Sequence, residues 1–271
     1  MSVNVHHCFD NLVEKIAEKD FQFVNLECEP YSLYTMPNDT LVIVSRESRN
    51  FMIYDREFNL IKTIEKINNK IFKPYYITSD GDSKVFITEL IGNQIIQTDL
   101  DFNFVRQFGS KGSSNETLDF PTGITFNEGS IYICDGNNKR IQKLNSEELL
   151  FEESFPLSFK PINIKIIKNV ACIKPDKEPF IAIYCLIPFS FKVRINNSSH
   201  QIFSLNSYFY MFNANGNRLS SYDINGNLIE KKSLEIPKTI TSDCCQHYSI
   251  GYFNEKFIIT ASKTKKIIIL Q

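Results

Sequence analysis

The sequence predicts an all-β fold, a six-bladed β-propeller of four-stranded antiparallel blades with a short N-terminal helix. Three observations predict it. A β-hairpin pattern recurs six times along 271 residues, at spacings of 44, 46, 39, 39 and 48. Each unit carries signals for about four short strands, and such a period marks propeller blades rather than a helical solenoid. The last unit stops after its third strand, and a segment near the start of the chain reads as the missing fourth.

The clearest hairpin spans residues 130–145, SIYICDGNNKRIQKLN. An apolar run of β-formers leads into Asp135-Gly136-Asn137-Asn138, residues that tolerate left-handed backbone and bond their own main chain. The chain returns through Arg140, Ile141, Gln142, Lys143 and Leu144, alternating polar and apolar. Asp135 and Arg140 flank the turn and are expected to face each other as an exposed ion pair worth roughly 0–1 kcal/mol.

The residue closing the first strand of each hairpin falls at Ser45, Glu89, Asp135, Lys174, Asn213 and Ala261. Five hairpins are plain: LVIVSRESRNFMIYD, VFITELIGNQIIQTD, IYICDGNNKRIQKLN, FYMFNANGNRLSSYD and FIITASKTKKIIILQ. The fourth, VACIKPDKEPFIAIY, carries two prolines around its turn and departs most. Runs such as LVIV, VFIT and IYIC are nearly continuous in apolar character, as expected where stacked blades cover both faces of a strand.

Each unit places a first strand after an anchor residue, at Pro30, Pro74, Pro121 and Pro161 in the first four. Its fourth strand is a segment of the type REFNLIKTI, LDFNFVRQF or INGNLIEKK. The predicted blades lie near 30–65, 74–108, 121–155, 161–195, 201–235 and 246–271, within one domain of residues 20–271. Residues 21–26 resemble the other fourth strands and are expected to pair with the strand ending at Gln271, which removes an exposed edge. Residues 6–19, HHCFDNLVEKIAEK, have apolar positions at helical spacing and predict an amphipathic N-terminal extension.

Composition narrows the function. A net charge of −1 gives no general attraction to nucleic acid or anionic membrane. There is no apolar stretch long enough for a membrane helix, and the start lacks a signal-like region. Seven cysteines without a C-x-x-C pair, several of them inside strand runs, predict reduced core residues of a cytoplasmic protein. The sequons at Asn38, Asn115 and Asn197 are then expected to stay unmodified.

The P-x-G-I start, Pro121-Thr122-Gly123-Ile124, followed by a hairpin with a D-G-N-N-K-R turn resembles the NHL repeat. FPTGITFNEGSIYICDGNNKRIQKLN and PYYITSDGDSKVFITELIGNQIIQTDLDFNFVRQFG match best. The resemblance extends over residues 20–271 and implies a six-bladed ring that binds ligands, as in tripartite-motif proteins, whose propellers bind protein or RNA. The chain has no RING or B-box set of cysteines and histidines, so ubiquitin-ligase activity would have to come from elsewhere.

Other propellers of this architecture, lactonases and a lyase among them, are metal-dependent enzymes. Here the inner strands are SLYTM, YYITSD, TGITFN, INIKII, IFSLN and HYSIG, and they centre on Thr78, Thr125, Lys165, Ser204 and Ser249. No ring of carboxylates is expected in the channel, although hard cations need several oxygen ligands. His247 is a lone channel candidate. Cys244, Cys245 and His247, like His6, His7 and Cys8, crowd together too closely to face one ion from a strand. We therefore expect no catalytic residues, no metal and no cofactor.

In a propeller the turns inside the hairpins and the connections between blades share one face. That face is expected to gather Arg46, Arg49, Asn93, Lys111, Asn137, Lys139, Arg140, Arg218, Lys263 and Lys265, with 109–119 as its longest connection. Tyr31, Tyr75, Tyr76 and Phe120 near the blade starts are expected mainly to wedge between blades. The expected function is a non-catalytic binding or scaffold module for a protein partner on this face. Single-stranded RNA on the same face is one alternative and a channel hydrolase or lyase is the other. No membrane and no DNA partner is expected.

Overall fold

Leu41, Val42, Ile43 and Val44 are consecutive and all fully buried. Successive strand residues point to opposite faces, so such a run needs apolar cover on both sides. The chain provides that cover by stacking sheets around an axis. The computed structural model describes residues 21–197, 199, 201–213, 217–234, 236 and 248–270. The helix expected at 6–19 lies outside them.

Six four-stranded antiparallel sheets form the blades. From the axis outward, the first holds Ser32–Thr35, Leu41–Ser45, Asn50–Tyr54 and Leu60–Ile64, and the second Pro74–Ser79, Val85–Glu89, Gln94–Thr98 and Phe104–Phe108. The third holds Pro121–Asn127, Ser130–Asp135, Arg140–Asn145 and Phe151–Pro156; the fourth, Pro161–Ile167, Val170–Pro175, Phe180–Leu186 and Phe189–Asn196. The fifth holds Ile202–Leu205, Tyr208–Asn213, Arg218–Tyr222 and Leu228–Ser233. The sixth has Tyr248–Phe253, Lys256–Ala261 and Lys266–Leu270, and its outer place is taken by Phe21–Asn25 from the other end of the chain. There Phe21 lies opposite Leu270 and Asn25 opposite Lys266. The innermost strands touch in cyclic order from first blade to sixth and back to the first, so the ring is closed.

The core is divided among the blade interfaces. Val44, Phe51, Ile87 and Ile96 pack between the first and second blades. Tyr132, Phe155, Ile164 and Ile173 pack between the third and fourth, and Phe212, Tyr248 and Ile259 between the fifth and sixth. Corresponding clusters fill the other three interfaces.

The glycine of P-T-G-I sets the spacing of one interface. A Cβ on Gly123 would stand 2.6 Å from Asn163 Cα and 2.9 Å from Ile164 N, both backbone atoms of the next blade. Gly123→Ala must therefore push two strands apart and is expected to cost about 1–3 kcal/mol, as overpacking does. Thermal unfolding checks this, and an unchanged midpoint would mean that the interface opens freely.

The fourth strands begin from a repeated D-x-x-x-N turn. Asp55 Oδ1 accepts from the Glu57 and Asn59 amides at 3.0 and 2.8 Å, and Oδ2 accepts from Asn59 Nδ2 at 3.0 Å. Asp99 with Asn103 and Asp223 with Asn227 repeat this arrangement. The Asn59 side-chain bond holds the Asp55 carboxyl below its usual range. Partial burial opposes the same effect at Asp99 and Asp223, but the Asn bonds outweigh it. A folded value below the unfolded one means stability that is present above about pH 4 and lost as pH falls through the folded value. The triple variant D55N, D99N, D223N should show a flatter fall in urea midpoint below about pH 4 than wild type. Parallel curves would refute the device.

Candidate functional site

Hairpin turns and interblade connections do share one face, and hydrogen bonds from backbone amides tie them together. Leu26 N donates to Lys265 O at 2.7 Å, Leu157 N to Lys139 O at 2.8 Å, and Phe120 N to Asn93 Oδ1 at 2.8 Å. Arg49, Lys111, Asn137, Lys139, Arg218, Lys263 and Lys265 are exposed on this face. Among them, Asn137 Nδ2 donates to Asp119 Oδ1 at 2.9 Å and Lys265 Nζ to Glu27 O at 3.4 Å. Asn93 is half-buried and serves the connection that enters the third blade.

Arg140 is placed differently from the exposed ion pair that the turn suggests. Asp135 is fully buried, and Arg140 Nε donates to its Oδ2 at 2.7 Å. The guanidinium also donates to Ser114 O at 2.6 Å and Thr117 O at 3.1 Å. Asp135 further accepts from Asp119 N, Asn138 Nδ2 and Gln142 Nε2, at 2.7, 2.8 and 3.2 Å. The cause is the connection 109–119, which folds over the turn and shuts it from water. Arg140 thus holds this connection down from beneath, and Lys139 beside it stays exposed.

The same hairpin position anchors other turns. Ser45 Oγ accepts from Ser48 N at 3.2 Å. Buried Glu89 accepts from Lys73 N, Ile91 N and Gly92 N at 2.9, 2.7 and 2.7 Å. The fourth blade inverts the polarity: buried Lys174 donates from Nζ to Glu178 O and Phe180 O. Burial pushes its ammonium down to about 8 against the pull of Asp176 and Glu178.

At the axis this face opens into a cavity of about 490 Å³ bordered by residues of the first five blades. Tyr31, Tyr75 and Tyr76 form its floor, buried to within 8% exposure, with Tyr31 Oη donating to Tyr75 Oη at 2.6 Å. Their ring centroids lie 4.6 to 5.9 Å apart. Burial drives the Tyr31 phenol well above its usual range, so that hydroxyl stays neutral. Arg46 lies over the Tyr31 and Tyr75 rings at 5.1 and 5.5 Å, and Lys160 over Phe120 at 4.2 Å. Lys160 is paired with Asp176 only at 3.8 Å. Arg46 also lies 3.9 Å from Glu47 and donates to Tyr75 Oη at 3.4 Å, and the ring faces attract both cations and hold them at the mouth. Beside this mouth, Arg46 and Lys263 line a smaller groove with Glu29 and Tyr31.

Among the residues proposed from sequence, the structure therefore brings Arg46 and Lys263 together near the axis and spreads the others around the rim. The tyrosines wedge between blades and also make the floor of the mouth. The sequence did not assign Lys160, Lys174 and Asp176 to the site, because the fourth hairpin had the least regular pattern. The anchor register that identified Lys174 was the one signal that pointed there.

Behind the tyrosines runs a channel of about 340 Å³, lined by Thr78, Thr125, Lys165, Ser204 and Ser249 as the inner-strand pattern implied. Gln201 separates mouth and channel: Nε2 donates to Tyr31 O at 2.9 Å and Oε1 accepts from Ser249 Oγ at 2.7 Å. Among the described residues no three His, Cys, Asp or Glu side chains cluster as metal ligands. His6, His7, Cys8, Cys244, Cys245 and His247 lie outside the described residues.

The family model described as NHL repeat matches residues 118–144, the third hairpin with its lead-in. No curated protein matches the chain. Among solved structures, selenomethionine-substituted virginiamycin B lyase from Staphylococcus aureus is 14% identical with a TM-score of 0.66, over 92% of this chain and 98% of that one. A streptogramin B lyase structure is 13% identical with a TM-score of 0.63, over 92% and 97%. A chain of a nidogen/laminin complex is 14% identical with a TM-score of 0.62, over 75% and 80%. At these identities the likeness is one of fold.

Proposed function

We propose that this NHL-repeat six-bladed β-propeller is a non-catalytic binding module that holds a protein partner at the axial mouth of its turn-bearing face. The observation that carries the reading is the pair of cations, Arg46 and Lys160, poised over aromatic rings at the rim of a concave, half-apolar cavity. Aromatic and arginine anchors in a pocket are what binding hot spots are made of. The exposed cations around the rim favour an acidic segment and speed its arrival. The same fold occurs in lyases and in a nidogen/laminin complex, so the choice of binding rests on the mouth and not on the fold.

The test compares wild type with the double variant R46A, K160A, each shown to be folded by circular dichroism. A protein captured by wild type, identified and purified, should bind the variant at least tenfold more weakly. Equal affinity would place the site elsewhere. RNA is the competing outcome. Binding through several phosphates falls steeply with salt, and only a modest cationic excess is offered, so we expect RNA affinity to be weak at physiological ionic strength. Charge reversal at Lys111, Lys139 and Lys263 addresses this without touching Arg140, which holds the fold. Sub-micromolar RNA affinity lost in that triple variant would replace the protein partner by RNA. A stoichiometric, tightly held Ca²⁺ or Zn²⁺ in protein purified without chelator would instead favour a channel enzyme.

A further inference from the structure

The channel carries a feature that the partner-binding reading does not use. Lys165 projects from the inner strand of the fourth blade into the channel wall, and it has no hydrogen-bond or ion-pair partner among the described residues. The described lining includes no carboxylate and no second cation. The Asn163 amide nitrogen, also on this wall, is buried at 1% exposure. It approaches the Tyr76 hydroxyl without reaching hydrogen-bond geometry and has no other partner. The hydroxyls of Thr125 and Ser204 complete a set in which every group can donate. An unpaired ammonium and a buried unsatisfied amide are both costly, and a ligand rich in acceptor oxygens would relieve both costs.

The rest of the wall is apolar. Leu33, Ile77, Phe126, Ile166, Phe203 and Tyr252 line it. A bare inorganic anion would leave that surface wet, whereas a molecule with a hydrocarbon body would cover it. The volume of about 340 Å³ suits a small molecule. We propose that the channel binds an organic carboxylate with an apolar body, its carboxylate at Lys165 and its body against Phe126, Phe203 and Tyr252.

Enclosure in the channel pushes the Lys165 ammonium down to about 8, slightly opposed by Cys134 behind the strand. The other titratable groups around the channel are the phenols of Tyr34, Tyr76 and Tyr252. Burial raises the Tyr34 and Tyr76 phenols, so both stay neutral in this range. Carboxylate binding needs the protonated amine. It should therefore be strong below about pH 8, weaken by about tenfold from pH 7 to pH 9, and take up a proton near pH 8.

Isothermal titration of the full chain with sodium octanoate, octanamide and inorganic phosphate tests this. One octanoate per chain is expected, with octanamide at least tenfold weaker and phosphate weaker still. Lys165→Met should weaken octanoate at least tenfold. If that variant does not fold, the wild-type pH series still decides. No saturable octanoate binding, equal affinity for octanamide, independence of pH between 7 and 9, or indifference to Lys165→Met would each overturn the proposal. Phosphate binding in preference to octanoate would also overturn it, by removing the need for an apolar body.

Discussion

Asp135→Ala should lower the unfolding free energy by about 3–5 kcal/mol, the range for removing one partner of a buried ion pair. This is several times what an exposed pair supplies. The side chain is fully buried and accepts from Asp119 N, Asn138, Arg140 and Gln142. Removing it strands a guanidinium beneath the connection 109–119 and leaves a backbone amide without its acceptor. Asp135→Asn retains an acceptor oxygen but loses the charge, and should fall between wild type and alanine. Urea denaturation measures the loss. A local readout accompanies it: limited proteolysis should cut within 109–119 earlier in the alanine variant, because Arg140 and Gln142 no longer hold Ser114 and Thr117 in register. A loss under 1 kcal/mol would mean that the pair behaves as a solvated one.

Deleting residues 1–27 should abolish cooperative unfolding altogether. The closing strand Phe21–Asn25 covers the outer edge of Lys266–Leu270 along its full length. It also contributes to two interblade cores: Phe21 packs on the cluster between the fifth and sixth blades, and Val24 and Leu26 on the one between the sixth and first. Without it the ring loses its clasp and presents a long apolar edge, Ile267 to Leu270, as a template for aggregation. Scanning calorimetry should show no sharp transition. A synthetic peptide of residues 20–30 added in trans should restore one, since the missing contacts are those of a single added strand. An unchanged midpoint in the truncated chain would show that the clasp contributes nothing to the cooperative unit.

These two expectations differ in how far they could be read from sequence. The clasp was legible: residues 21–26 share the fourth-strand pattern, the last unit lacks a fourth strand, and the structure pairs the two ends. The burial of Asp135 was not. Its hairpin looks like any exposed turn, and what encloses it is a connection that arrives from the preceding blade. The mouth shows the same divide. Tyr31, Tyr75 and Tyr76 were visible as aromatics at blade starts, but their meeting beside Arg46 depends on how the first two blades converge at the axis.

By itself, the sequence determined the all-β class, six repeated hairpins, the inner strands with Thr78, Thr125 and Lys165 on the channel, and the face that carries the turns. These follow from alternation, turn chemistry and period, which act over a few residues and are written locally. The tertiary structure alone decided which turn residues are free. It placed Arg140 under a neighbouring connection, left Lys139 exposed, set Arg46 over Tyr75 and Lys160 over Phe120 of the adjacent blades, and isolated Lys165 from any counter-charge among the described residues. The physical reason is that desolvation and ion pairing depend on distances between segments about 15 to 40 residues apart, and those distances exist only once the blades have folded against one another.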